Sequence, residues 1–123
     1  MATISTAARN AACDAVVDLI DAGAAAGNLV FRTAGDVEVA TLPFSDPAFG
    51  AAATGVASAS TITSDTNATG GTTTKATLED SDANAVITAT VGTSGSDINL
   101  SSTTIGAGDT VSVSSLTVTM PAS

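Results

Sequence analysis

The chain has 123 residues, the length of one domain, and carries 12 acids against Arg9, Arg32 and Lys75, for a net charge of −9. It has no His, a single Cys, and neither Trp nor Tyr. The composition therefore speaks against phosphate-neutralising nucleic-acid binding, anionic membrane surfaces, His-based catalysis or zinc ligation, and an intrachain disulfide.

Residues 1–23 carry the one helical pattern. Ser5 or Thr6 can cap its start, and Gly23 can stop it. Ile4, Ala8, Ala11, Ala12, Ala15, Val16, Leu19 and Ile20 recur at three- and four-residue steps, which predicts an Ala-lined packing stripe. Asn10, Asp14, Asp18 and Asp21 fall on the other side and read as a solvated face. Asp18 and Asp21 sit near the helix C-terminus, where the dipole disfavours negative charge. Cys13 lies within this pattern and reads as a small buried apolar residue rather than a nucleophile. The opening MATISTAARN lacks the basic and apolar regions of a secretory signal, so export by that route is not expected.

After the Ala24–Gly27 connector, residues 28–121 read as a β-domain. Leu29–Thr33 and Val37–Leu42 form a hairpin around Ala34-Gly35-Asp36. Leu42–Gly50, LPFSDPAFG, holds two prolines and two of the three phenylalanines. Pro43 and Pro47 interrupt strand pairing, and Phe44 and Phe49 either plug one end of the core or contact a neighbour. Phe44, Pro47 and Phe49 are the candidate partner-interface residues.

From Ala51 the chain is rich in Ala, Thr, Ser, Val and Gly. Val56–Ile62, Thr72–Leu78, Ala85–Val91 and Ile98–Leu100 alternate as short strands between turns. Thr110–Met120, TVSVSSLTVTM, alternates with a one-residue slip. A bulge at Ser114-Ser115 would keep Val111, Val113, Leu116, Val118 and Met120 on one face of a central or near-edge strand. The fold class expected is mainly β: an antiparallel sandwich or barrel-like domain with one N-terminal α-helix. Its 26 Val, Ile, Leu and Phe side chains make a thin core, and a domain of this size is marginal on surface-to-volume grounds. Stability borrowed from neighbouring subunits is expected.

No motif spells out a reaction. Asp80-Ser81-Asp82-Ala83-Asn84 opens like a calcium loop, but Ala85 and Val91 stand where Gly and Glu are needed. Asn67-Ala68-Thr69 matches a glycosylation acceptor, which has no meaning without a secretory route. Gly92–Ser96 lacks the lysine and following helix of a phosphate-cradling loop. The acids fall in turns or on the polar helix face, with no aromatic platform around them. No catalytic residue, metal or cofactor is expected, and no small-molecule substrate.

Ala2–Gly23, Leu42–Gly50, Val91–Leu100 and Thr110–Pro121 together resemble small virion structural proteins of tailed bacteriophages. That resemblance implies a protein without catalytic residues that acts in the virion by binding. A capsid decoration, or cement, protein is the first expectation. It would bind the major capsid protein and copies of itself, as a trimer at local three-fold positions. A tail, neck or baseplate adaptor or fibre-attachment protein is the alternative. A receptor- or carbohydrate-binding module is a third reading, against which the absence of Trp and Tyr weighs.

Overall fold

The computed structural model describes residues 2–121; Met1 of the N-terminal segment lies outside the described residues. The chain is mainly β with one N-terminal helix, as expected. Helix α1 spans Thr6–Asp18 and runs into a 3₁₀ turn, Leu19–Asp21. The strands are β1 (Asn28–Arg32), β2 (Glu38–Pro43), β3 (Val56–Ser58), β4 (Gly71–Thr72), β5 (Lys75–Glu79), β6 (Ala85–Gly92), β7 (Ile98–Asn99), β8 (Thr104–Ile105) and β9 (Thr117–Thr119).

Five strands form a curled sheet in the order β2-β1-β5-β6-β7. The hairpin β1–β2 is antiparallel, Leu29 facing Leu42 and Phe31 facing Ala40. Its turn is closed by Thr33 N–H to Val37 O at 2.9 Å, and Asp36 takes φ 69°. Strand β5 then adds to β1 with Leu78 opposite Leu29. Ala76, Thr77, Leu78 and Glu79 are all buried, so this strand is covered on both faces despite its alternating sequence.

Glu79 reaches Arg32 across the β1–β5 ladder, with Arg32 Nη2 donating to Glu79 Oε2 at 2.8 Å. Thr77 Oγ1 donates to the same carboxylate oxygen and accepts from Arg32 Nε at 3.2 Å. Strand β6 pairs antiparallel with β5 and bulges at Val86, which has no partner between the Leu78–Ile87 and Glu79–Ala85 pairs. This explains why Val86 and Ile87 are both half-buried, while farther along Ala89 and Val91 are buried and Thr88 and Thr90 exposed. The pair β6–β7 is parallel and only two residues long.

Two short ribbons, β3–β9 and β4–β8, complete the shell. The C-terminal run departs from the sequence expectation. Only Thr117–Thr119 is strand, on β3 rather than in the main sheet, and Val111 makes an isolated bridge to Asp65. A bend at Ser114 takes the place of the expected bulge. The bend achieves the same phase change: Val111 is buried, Val113, Leu116, Val118 and Met120 are half-buried, and the intervening residues are Ser and Thr, all exposed.

The core gathers Phe31, Leu29, Leu42, Leu78, Val39 and Ile20, each essentially inaccessible to solvent, and extends through Phe44 and Phe49. Chain entry into β1 is tight. A Cβ on Gly27 would lie 2.7 Å from Ile20 Cγ2, so only glycine lets β1 start beneath the helix.

Candidate interaction site

Helix α1 starts where a serine can cap it. Ser5 is extended (φ −63°, ψ 157°), and its Oγ accepts the Ala8 N–H at 3.1 Å. What the helix buries differs from the expected stripe. Cys13, Val17 and Ile20 are buried, at steps of four and three residues. Ala8, Ala11 and Ala15 are exposed, and so are Ile4 and Leu19. Ala12 and Val16 are half-buried, and Ile20 is the one residue of that stripe that is buried.

The polar residues explain the rotation. Arg9, Asn10, Asp14 and Asp21 flank the buried trio and are half-buried. Asp21 accepts the Ala48 N–H through both carboxylate oxygens at 3.0 and 3.2 Å, and Asp14 Oδ1 accepts Ala52 N–H at 2.7 Å. Asn10 Oδ1 accepts Gly55 N–H at 2.7 Å. Arg9 Nε donates to Met120 O at 3.0 Å, and Cys13 Sγ donates to Val118 O at 3.3 Å.

The irregular segment 48–55 thus runs antiparallel to α1, with the amides of Ala48, Ala52 and Gly55 taken by side chains of the helix and its 3₁₀ turn, while those of Gly50 and Ala53 bond to the Ser58 and Val56 carbonyls. Buried backbone amides need partners, and a chain without regular strand pairing here finds them on the helix. The expected solvated face is therefore, apart from Asp18, an inward face. Asp14→Ala removes a charged acceptor from a part-buried amide, which costs about 1–3 kcal/mol. Asp14→Asn keeps an oxygen in place and is expected to cost less. Urea-unfolding midpoints of the two variants check the order.

Desolvation raises the Asp21 carboxyl above its ordinary pKa; the Ala48 N–H opposes that rise, and the neighbouring Asp46 and Asp18 reinforce it. At the far end of the segment, Gly55 has φ +77°, and a Cβ there would lie 2.6 Å from Arg9 Nη2.

Of the three candidate interface residues, two are closed in. Phe44 and Phe49 are 3% and 5% exposed, and their rings stack at 5.7 Å between centroids with a 48° tilt. Phe44 bridges to Ile62 and Phe49 to Ala59, so segment 59–62 lies over this loop. Pro47 follows a cis peptide bond and is exposed, as is Pro43 at the end of β2. The rings fill the end of the core, and Pro47 alone of the three presents surface.

The turn at Asp80–Asn84 uses its leading carboxylate internally. Asp80 Oδ1 accepts the amides of Asp82 and Asn84, both at 2.9 Å, and Oδ2 accepts Asn84 Nδ2 at 3.1 Å. The bonds from Asn84 hold the Asp80 carboxyl below its ordinary pKa. No cluster of three or more acidic or Cys ligands occurs among the described residues.

Three adjoining grooves, of about 420, 380 and 290 Å³, separate the C-terminal run from β6, β7 and β8. The largest is floored by Leu78, Ile87, Ala89, Ile98, Leu116 and Val118. Asp97 and Asp109 are the ionisable residues along them, and each is tied to a local amide, Thr90 N–H at 3.0 Å and Gly106 N–H at 2.8 Å. No aromatic side chain lines any of the three.

Ser96 N–H, in the Gly92–Ser96 loop, is taken by Asn99 Oδ1 at 3.0 Å. Thr69 of the Asn67–Thr69 triplet donates its hydroxyl to Glu38. Among the described residues, no helix is long and apolar enough to cross a membrane. No family model matches the chain, and no match was found among curated proteins or solved structures.

Proposed function

We propose that the chain is a virion structural protein of a tailed bacteriophage, and within that class a capsid decoration protein. It works by binding alone. Each copy bridges neighbouring major capsid subunits and contacts other copies of itself, opposing the outward pressure of packaged DNA. The observation that carries this reading is the way α1 is oriented. Its hydrogen-bonding side chains serve segment 48–55 and the C-terminal run of its own chain, while an apolar face that a free monomer has no use for is left outward. A thin β-domain with such a face suits a protein that completes its packing against neighbours on a symmetric shell. The sequence resemblance supplies the phage assignment itself. The net charge of −9 supports the reading too, because an acidic surface does not capture free DNA during assembly.

Stained-gel densitometry of purified virions tests it. Hundreds of copies per particle, released together with loss of head stability, are the expected result. A dozen or fewer would overturn decoration in favour of the tail, neck or baseplate adaptor. Absence from the particle would overturn the virion assignment.

A further inference from the structure

The outward face of α1 is apolar. It carries Ala8, Ala11 and Ala15, with Ile4 just before the Ser5 cap and Leu19 in the first position of the 3₁₀ turn at its two ends, 42% and 54% exposed. Asp18 is the acid beside this stripe. A helix face turned to water is normally polar. Here the large apolar side chains stand at the two ends of the stripe, with alanines between them.

We propose that this face pairs with the same face of a second copy, antiparallel, about a two-fold axis between Ala11 and Ala12. Ile4 then packs on the second copy's Leu19, and Ala8 on its Ala15. Each pair is related to its mate by the axis, which is what an isologous contact requires. The central alanines let the helix axes approach to the short end of the usual range, about 8 Å.

Charge points to the same arrangement. Asp18 sits at the C-terminal end of α1, where the dipole opposes it, and makes no ion pair among the described residues. The first turn of α1 contains no acid. Antiparallel pairing sets Asp18 beside the second copy's Ser5, at the positive end of that helix. One rotation therefore relieves a misplaced carboxylate and supplies a missing one, twice per dimer. A parallel pair would instead bring the two Asp18 carboxylates together.

A 13-residue helix is about 20 Å long. One such helix pair buries well under the roughly 800 Å² per partner of a standard stable complex. The dimer is therefore weak in dilute solution and fills where copies are held side by side. The pairing concerns this chain alone and does not rest on the virion reading. A negative particle count would leave it standing, and its own failure would leave the particle count standing.

Cysteine cross-linking tests the geometry. The native Cys13 is fully buried and does not compete. Ala8→Cys and Ala15→Cys chains are mixed in equal amounts and oxidised with copper–phenanthroline. The mixed disulfide should dominate over either like pair and exceed the yield of an exposed-loop control, Ser94→Cys. Dominance of like pairs, or no yield above the control, overturns the proposal. In sedimentation equilibrium up to millimolar concentration, Ala11→Glu should weaken self-association at least tenfold. Its far-UV circular-dichroism melt should stay unchanged, because Ala11 is exposed. A wild-type chain that stays monomeric at millimolar concentration, or an association that Ala11→Glu leaves intact, would equally overturn it.

Discussion

Phe44→Ala and Phe49→Ala are each expected to cost about 3–5 kcal/mol of folding free energy, the range for deleting a buried aromatic ring from a packed core. Domains hold only about 5–15 kcal/mol in total, so either variant should melt far below the parent. The two rings are 5.7 Å apart and share one pocket, so the double substitution should cost less than the sum of the singles. The chain has no Trp or Tyr, so far-UV circular dichroism is the suitable probe. If stability were unchanged and only binding to a neighbour were lost, the rings would be contact residues and not plugs. The structure argues for plugs, because solvent reaches 3% of Phe44 and 5% of Phe49.

Arg32→Met is the second large effect. The Glu79 side chain is 6% exposed and Arg32 is its ion-pair partner, with Thr77 held between them. Removing the cation strands a carboxylate between β1 and β5, at a cost of about 3–5 kcal/mol. Replacing both members, Arg32→Met with Glu79→Leu, removes the stranded charge as well and should recover most of the loss. Chemical denaturation of the two singles and the double gives the coupling directly. A double variant as unstable as Arg32→Met alone would contradict this account.

Much of the β architecture was legible. Hydrophobic alternation and turn residues located the β1–β2 hairpin, β5 and β6, because both signals are local. The C-terminal run shows the limit of such reading. Its inward and outward residues follow from alternation, yet the phase slip is made by a bend at Ser114, and its partner is β3 rather than the main sheet. Alternation reports which side chains share a face, not which strand lies alongside.

The helix was legible in its existence and not in its orientation. Alanine recurs on both sides of α1, so the small-residue period had two solutions. What decides between them is a set of side-chain bonds to amides 27 to 45 residues away, which no local pattern encodes. One cue was present. Cys13, Val17 and Ile20 form a stripe of larger apolar residues, and their flanks hold Asn10, Asp14 and Asp21 at helical spacing. Within the helix proper, Cys13 and Val17 outweigh the alanines at 8, 11 and 15, although Ile4 and Leu19 at the ends of the other stripe stay exposed. The closure of Phe44 and Phe49 by segment 59–62 was likewise invisible, since bridges to Ala59 and Ile62 lie within an unremarkable Ala/Thr/Ser run.

The inward polar face of α1 underlies both the loop's structure and the outward apolar face. Native-state hydrogen exchange, read by NMR on the isolated chain, tests it most directly. The amides of Ala48, Ala52 and Gly55 lie in a segment with little regular pairing, yet each should be strongly protected. In Asp14→Ala, protection at Ala52 should fall sharply while the amides of β1 keep theirs. Exchange of Ala48, Ala52 and Gly55 at unprotected rates in the parent chain would show that α1 does not hold this loop, and would contradict the account.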